Sequence, residues 1–151
     1  MKKIGIVVIL FALLFTGIAG GAAWMPTIPA SDHSMAKAVD SYSMPMIRTY
    51  TFSTEDDQAV SWLRFVRDLK LHTMEWRWYK PNGEIYARTF SVAPPSDFVT
   101  GAWDARVWSS IQIKGCEPEN IEGLWRVDII KDWYKIHSES FTIGAQQVTC
   151  D

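Results

Sequence analysis

The chain has 151 residues, with 15 Lys+Arg against 17 Asp+Glu, two cysteines and eight tryptophans. That length suits one domain with a short appendage, and 48% hydrophobic with 21% charged residues excludes a disordered or fibrous chain. The near-neutral balance lacks the basic excess that phosphate neutralisation requires, so no nucleic-acid partner is expected.

Met1-Lys2-Lys3 is a short basic start, followed by mostly bulky apolar residues from Ile4 to Phe15. Gly17, Ala19, Gly20, Gly21, Ala22 and Ala23 then form a small-residue exit. This is the layout of a secretory signal peptide over 1–23, which predicts export to the periplasm, the cell surface or beyond. Small-x-small sites end at Ala19 and Ala23, and cleavage after Ala23 is expected. The alternative is an uncleaved anchor, because Ile4 to Ala23 is 20 uncharged residues, enough to span a bilayer. Membrane contact is expected only in that case, and the Gly/Ala-rich second half favours cleavage. No cysteine directly follows the apolar region, which argues against a lipid anchor. The 15 basic residues less Lys2 and Lys3 leave 13 against 17 acidic ones, a mature net charge of about −4.

Residues 24–45 read as an irregular arm or linker. Trp24 to Ser34 carries two prolines and neither period, and Pro45 closes the stretch. Met25, His33, Met35, Met44 and Met46 give this region a soft-ligand character that suits copper. Methionine as a core gap-filler is the simpler reading, and no metal is assigned.

From Met46 the pattern changes to seven β-rich runs, 46–53, 59–67, 72–80, 84–92, 105–114, 124–131 and 134–144. Seven such runs punctuated by turn residues outline an all-β, seven-stranded antiparallel sandwich over 46–151. Lys80-Pro81-Asn82-Gly83 specifies a tight turn, through the preset φ of Pro and the positive φ tolerated by Asn-Gly. Lys131-Asp132 is placed as a two-residue hairpin loop. Alternation puts Met74, Trp76 and Trp78 on one face, with Glu75, Arg77 and Tyr79 on the other. Trp125, Val127 and Ile129 likewise oppose Arg126 and Asp128, while Val107, Ser109, Ile111 and Ile113 oppose Trp108, Ser110 and Gln112. Ile136 and Phe141 share a face only if a bulge lies between His137 and Ser140. Thr54-Glu55-Asp56-Asp57 followed by Ala59, Trp62, Leu63, Val66 and Leu69 also fits a capped helix, but Val, Trp and Phe here favour a strand.

Trp76-Arg77-Trp78-Tyr79-Lys80-Pro81-Asn82-Gly83, with Gly123-Leu124-Trp125-Arg126-Val127 and Phe141-Thr142-Ile143, resembles an immunoglobulin-like sandwich domain. It is similar to the single domains of secreted bacterial proteins, over roughly residues 46–144. The second and sixth runs lack the cysteines that join facing strands in antibody domains, which excludes that branch. The resemblance implies a fold and no activity.

In an oxidising compartment an even pair of cysteines in a small domain reads as a disulfide, Cys116–Cys150. Cys116 precedes the sixth run and Cys150 follows the seventh, so both arrive at one end of the sandwich. Closing that loop contributes about 3–4 kcal/mol in the chain-entropy description.

Enzymatic signals are missing: there is no Gly-x-Ser-x-Gly elbow and no His-Glu-x-x-His. His72 and His137 read as ordinary strand histidines, and Glu117, Glu119 and Glu122 as a solvated acidic loop. No cofactor is expected. The expected function is a non-enzymatic binding or assembly module that contacts another envelope or extracellular protein. Its candidate surface is Glu75, Arg77, Tyr79, Arg126 and Asp128, with His137 as a further member and Trp133 and Trp108 as exposed anchors. A carbohydrate binder using Trp108 and Trp133, and a copper carrier using the methionines, are the alternatives.

Overall fold

Period-two alternation organises the computed structural model, which describes residues 30–96 and 104–144. The expected signal peptide over 1–23, Met25 and Cys150 lie outside these residues. The strands are β1 Asp32–Val39, β2 Pro45–Arg48, β3 Thr51–Ser53, β4 Gln58–Val66 and β5 His72–Tyr79. They continue as β6 Ile85–Ala93, β7 Asp104–Gln112, β8 Gly123–Lys131 and β9 Tyr134–Gly144, with a 3-10 turn at Glu117–Asn120. One sheet has the order β2-β1-β4-β7 and the other β3-β9-β8-β5-β6. The architecture is the expected all-β, immunoglobulin-like sandwich, with nine strands among the described residues rather than seven.

Both additional strands correct the sequence reading. Asp32–Val39 belongs to no irregular arm; it is β1, between β2 and β4, with Met35 and Ala36 fully buried. Its two faces are both covered, so it lacks the polar–apolar alternation that marks a half-wet strand. The run 46–53 breaks into β2 and β3, which sit in different sheets. Between them the Thr49 amide donates to Met35 O at 3.1 Å and Tyr50 O accepts from the Thr142 amide at 2.8 Å. The chain thus crosses from one sheet to the other at this edge, a corner that a sandwich makes by bending a strand. β3 then runs parallel to β9, so the second sheet is mixed rather than wholly antiparallel.

Other expectations hold. Gln58–Val66 is strand, not helix, and Lys80–Gly83 turns tightly, with Gly83 at φ 87° and its amide donating to Lys80 O. Two details move. The bulge lies at Ile136 rather than between His137 and Ser140, because Ile129 faces His137 while Ile130 faces Lys135. The β8–β9 loop is Asp132-Trp133, one residue later than placed, with φ of 47° and 73°. Positive φ at both loop residues is the primed turn whose twist matches the strands.

The core is aromatic. Trp76, Trp78, Trp125, Phe52 and Phe141 are fully buried between the sheets with Met35, Leu63, Phe65, Ile113 and Ile129. The Trp125 ring stacks on Phe141 at 6.4 Å and meets Tyr86 edge-on at 5.5 Å, while its Nε1 donates to Ile121 O at 2.9 Å. Trp125→Ala should therefore cost about 3–5 kcal/mol, read from urea unfolding. Trp133→Ala, at a tip outside this core, should leave the midpoint of the same curve within about 0.5 kcal/mol of equivalence or above it.

Candidate functional site

β5 turns Glu75, Arg77 and Tyr79 outward because Met74, Trp76 and Trp78 take the core. β8 sets Asp128 opposite Arg77 and Arg126 opposite Tyr79, so five expected surface residues do meet on one face. Arg77 holds Glu75 through two bonds of 2.7 and 2.9 Å. That bond outweighs burial and keeps the Glu75 carboxyl below its ordinary range. The Arg126 guanidinium lies 4.2 Å from the centre of the Tyr79 ring, and Asp128 accepts from Ser138 Oγ at 2.6 Å. Glu75–Arg77 and Arg126–Asp128 pair along their own strands, and Arg126–Tyr79 and Asp128–Ser138 pair across strands, the latter kind contributing about 0.2–1 kcal/mol each.

The remaining candidates divide. Trp108 is on β7, opposite Trp62 on the outer side of the other sheet, so it shares no face with Glu75 or Arg77. Trp108 and Trp133 therefore form no joint platform for a sugar. His137 faces inward, because its cross-strand neighbour is the core residue Ile129. The bulge at Ile136 resets the parity that sequence alone would assign.

Trp133 stands at the β8–β9 tip with 85% of its surface exposed. A buried charge network fixes this tip. Lys131, only 1% exposed, places Nζ 2.5 Å from Asp68 Oδ2 and 4.5 Å from the Phe65 ring. His72 bridges two carboxylates, with Nε2 2.8 Å from Asp68 Oδ1 and Nδ1 bonded to Asp132 Oδ2. Asp132 Oδ1 also accepts from the Thr73 amide at 2.9 Å. Burial acts to raise the pKa of Asp68 and Asp132, but bonds from Lys131 and His72 to the first, and from His72 and Thr73 to the second, hold both below the ordinary value. Beside Trp133 lies an apolar groove of about 120 Å³ lined by Thr73, Met74, Glu75, Phe90 and Ile130. Phe90, on the edge strand β6, is 70% exposed, an apolar surface residue that the sequence analysis does not single out.

The methionines do not converge. Met35 is in the inter-sheet core, whereas Met44 packs on the opposite face of the same sheet, against Ala36, Val60 and Trp62. Met46 is exposed. His33 instead reaches across the sandwich from β1 to β9, with Nδ1 2.8 Å from Glu139 Oε1. His137 Nε2 is 3.7 Å from the same oxygen, and among the described residues these three make the one group with metal-ligand spacing. Cys116 is exposed, and its expected partner Cys150 lies outside the described residues.

No known protein family matches the chain, and no curated protein matches it in sequence. In structure the chain is similar to an immunoglobulin-like protein of Pseudomonas aeruginosa, at 14% identity and TM-score 0.42, over 76% of this chain and 94% of that one. It is also similar to an alkylpurine DNA glycosylase of Pseudomonas fluorescens, at 7% identity and TM-score 0.41, over 75% of this chain. The chain spans only 30% of that enzyme, and neither likeness brings an activity with it.

Asp68, Asp132 and Glu75 each hold a folded pKa below the ordinary 3.8 or 4.5. Each therefore adds stability above its ordinary value and loses it as the pH falls through the lowered one. Urea midpoints should drop steeply below about pH 4, and Asp68→Asn should flatten that drop. Lys131→Met should cost about 3–5 kcal/mol at pH 7, because it leaves Asp68 buried without its cation.

Proposed function

We propose that the protein is an exported, non-enzymatic binding module that grips a protein partner of the envelope or extracellular space through Trp133 and the groove beside it. One observation carries this reading: an indole 85% exposed on a backbone with φ of 73°. A left-handed conformation at a non-glycine residue costs on the order of 1–3 kcal/mol and persists where the surroundings over-determine it. Glycine is the residue that the second position of a primed hairpin turn favours. Trp133 therefore works against the fold at the position where it stands, and stability gives no reason for it. Binding does, because a rigid exposed indole next to an apolar groove is the usual anchor of a protein interface. Of the charged face, Glu75 lines the same groove, with its carboxyl held by Arg77.

Export by the 1–23 signal peptide and a Cys116–Cys150 bond belong to the same reading. A mature N-terminus at Trp24 and an intact mass lacking two thiol hydrogens are the expected outcomes.

Trp133→Gly separates binding from folding. The variant should gain about 1 kcal/mol in urea unfolding, through relief of the left-handed strain. A partner retained from native envelope extract by the wild-type protein should be lost with this variant. Retention by both proteins would remove Trp133 as the anchor. Retardation of the wild-type protein in polysaccharide affinity gels would favour a sugar ligand instead.

A further inference from the structure

Glu139 is a carboxylate buried between the two sheets, with side-chain exposure of 2%, and it faces two imidazoles. His137 and Glu139 lie two apart on β9 and so project to the same inner face. His33 projects inward from β1, since its neighbour across the pair is the core residue Leu63. The His33 and His137 rings approach to 3.7 Å between centroids, tilted by 44°. Among the described residues no Lys or Arg forms an ion pair with Glu139; its ionic partners are His33 and His137.

We propose that His33, His137 and Glu139 form a binding site for a divalent transition metal of the zinc class. Tetrahedral zinc takes nitrogen and oxygen ligands at about 2.0–2.2 Å, which sets ligand atoms about 3.3–3.5 Å apart. The His33 Nδ1–Glu139 Oε1 and His137 Nε2–Glu139 Oε1 separations are 2.8 and 3.7 Å, and all three ligand atoms lie within 4.8 Å of one another. The second carboxylate oxygen is held apart for an outer role, with Ser61 Oγ donating to Glu139 Oε2 at 3.4 Å. Such outer partners orient a ligating carboxylate. Tyr50 stands by the same group; burial first, and the Glu139 charge second, push its phenol above the ordinary range. His33 and His137 are 39% and 29% exposed, so both rings are open to solvent. Two imidazoles select transition metals over the calcium and magnesium that all-oxygen sites prefer.

The proposal rests on no part of the Trp133 reading. Its test is titration of chelator-stripped protein, purified from the exporting cell, with Zn²⁺, and with Co²⁺ as a visible-spectrum reporter. One saturable equivalent and a raised thermal midpoint are expected for the wild type, since a ligand bound only by the folded state stabilises it. His137→Ala and Glu139→Gln should each weaken Zn²⁺ binding at least about tenfold, as loss of groups around a metal does. His33→Asn alters a half-exposed side chain, so the test survives if Glu139→Gln does not fold. Unaltered binding in His33→Asn and His137→Ala, the absence of a saturable equivalent, or equal preference for Ca²⁺ would each overturn the site.

Discussion

An ammonium with 1% exposure dictates the arrangement at one end of this sandwich. Lys131 is the last residue of β8, and its charge could not remain buried without compensation, because an unpaired buried ion costs several kcal/mol. Asp68 supplies that compensation from the loop before β5, and His72 links Asp68 to Asp132. The chain between β4 and β5 is thereby tied to the β8–β9 turn. The Asp132 amide donates to Thr73 O while Asp132 Oδ1 accepts from the Thr73 amide, so the turn is fixed to β5 by backbone as well as charge. The geometry of the tip is a consequence of the buried cation.

That consequence reaches Trp133. Asp132 is committed to His72 and Thr73, and the next residue must complete a primed turn with positive φ. A tip held this firmly fixes the backbone from which the indole projects, and pre-organisation of that kind lowers the entropy lost on binding. The charged face beside it behaves differently. Its carboxylates and guanidinium groups already bond one another, so a partner would gain little by competing for them. Apolar area at Trp133 and Phe90 is where burial would return free energy.

Strands with one wet face were legible by alternation, and the doubly covered β4 only by its Val, Trp and Phe content. β5, β7 and β8 declared their faces by alternation, and Lys80–Gly83 by its turn residues. β1 shows no strand period, because the small residues Ser34, Ala36 and Ala38 alternate with Met35 and Lys37 on a strand covered on both sides. Lys131 looked like a turn residue, since a lysine is seldom buried, and the carboxylate that permits burial lies 63 positions away. His33 and Glu139 are 106 positions apart. No local pattern carries such a pairing; only the sheet order that lays β1 over β9 creates it. The parity change at Ile136 then decides that His137 joins Glu139 rather than the outer face.

The two polar clusters differ in a way that assigns them different roles. Around Lys131, two carboxylates meet an ammonium and an imidazole, and each ring nitrogen of His72 already has a carboxylate partner. Nothing there is left to coordinate, and the assembly locks a turn. Around Glu139, a single carboxylate meets two imidazoles, and one oxygen is shared by both rings at unequal distances. A divalent ion would supply the charge that neither Lys nor Arg brings, and it would join β1 to β9 across the interior. The first cluster is complete as it stands, and the second has the composition of a set of ligands.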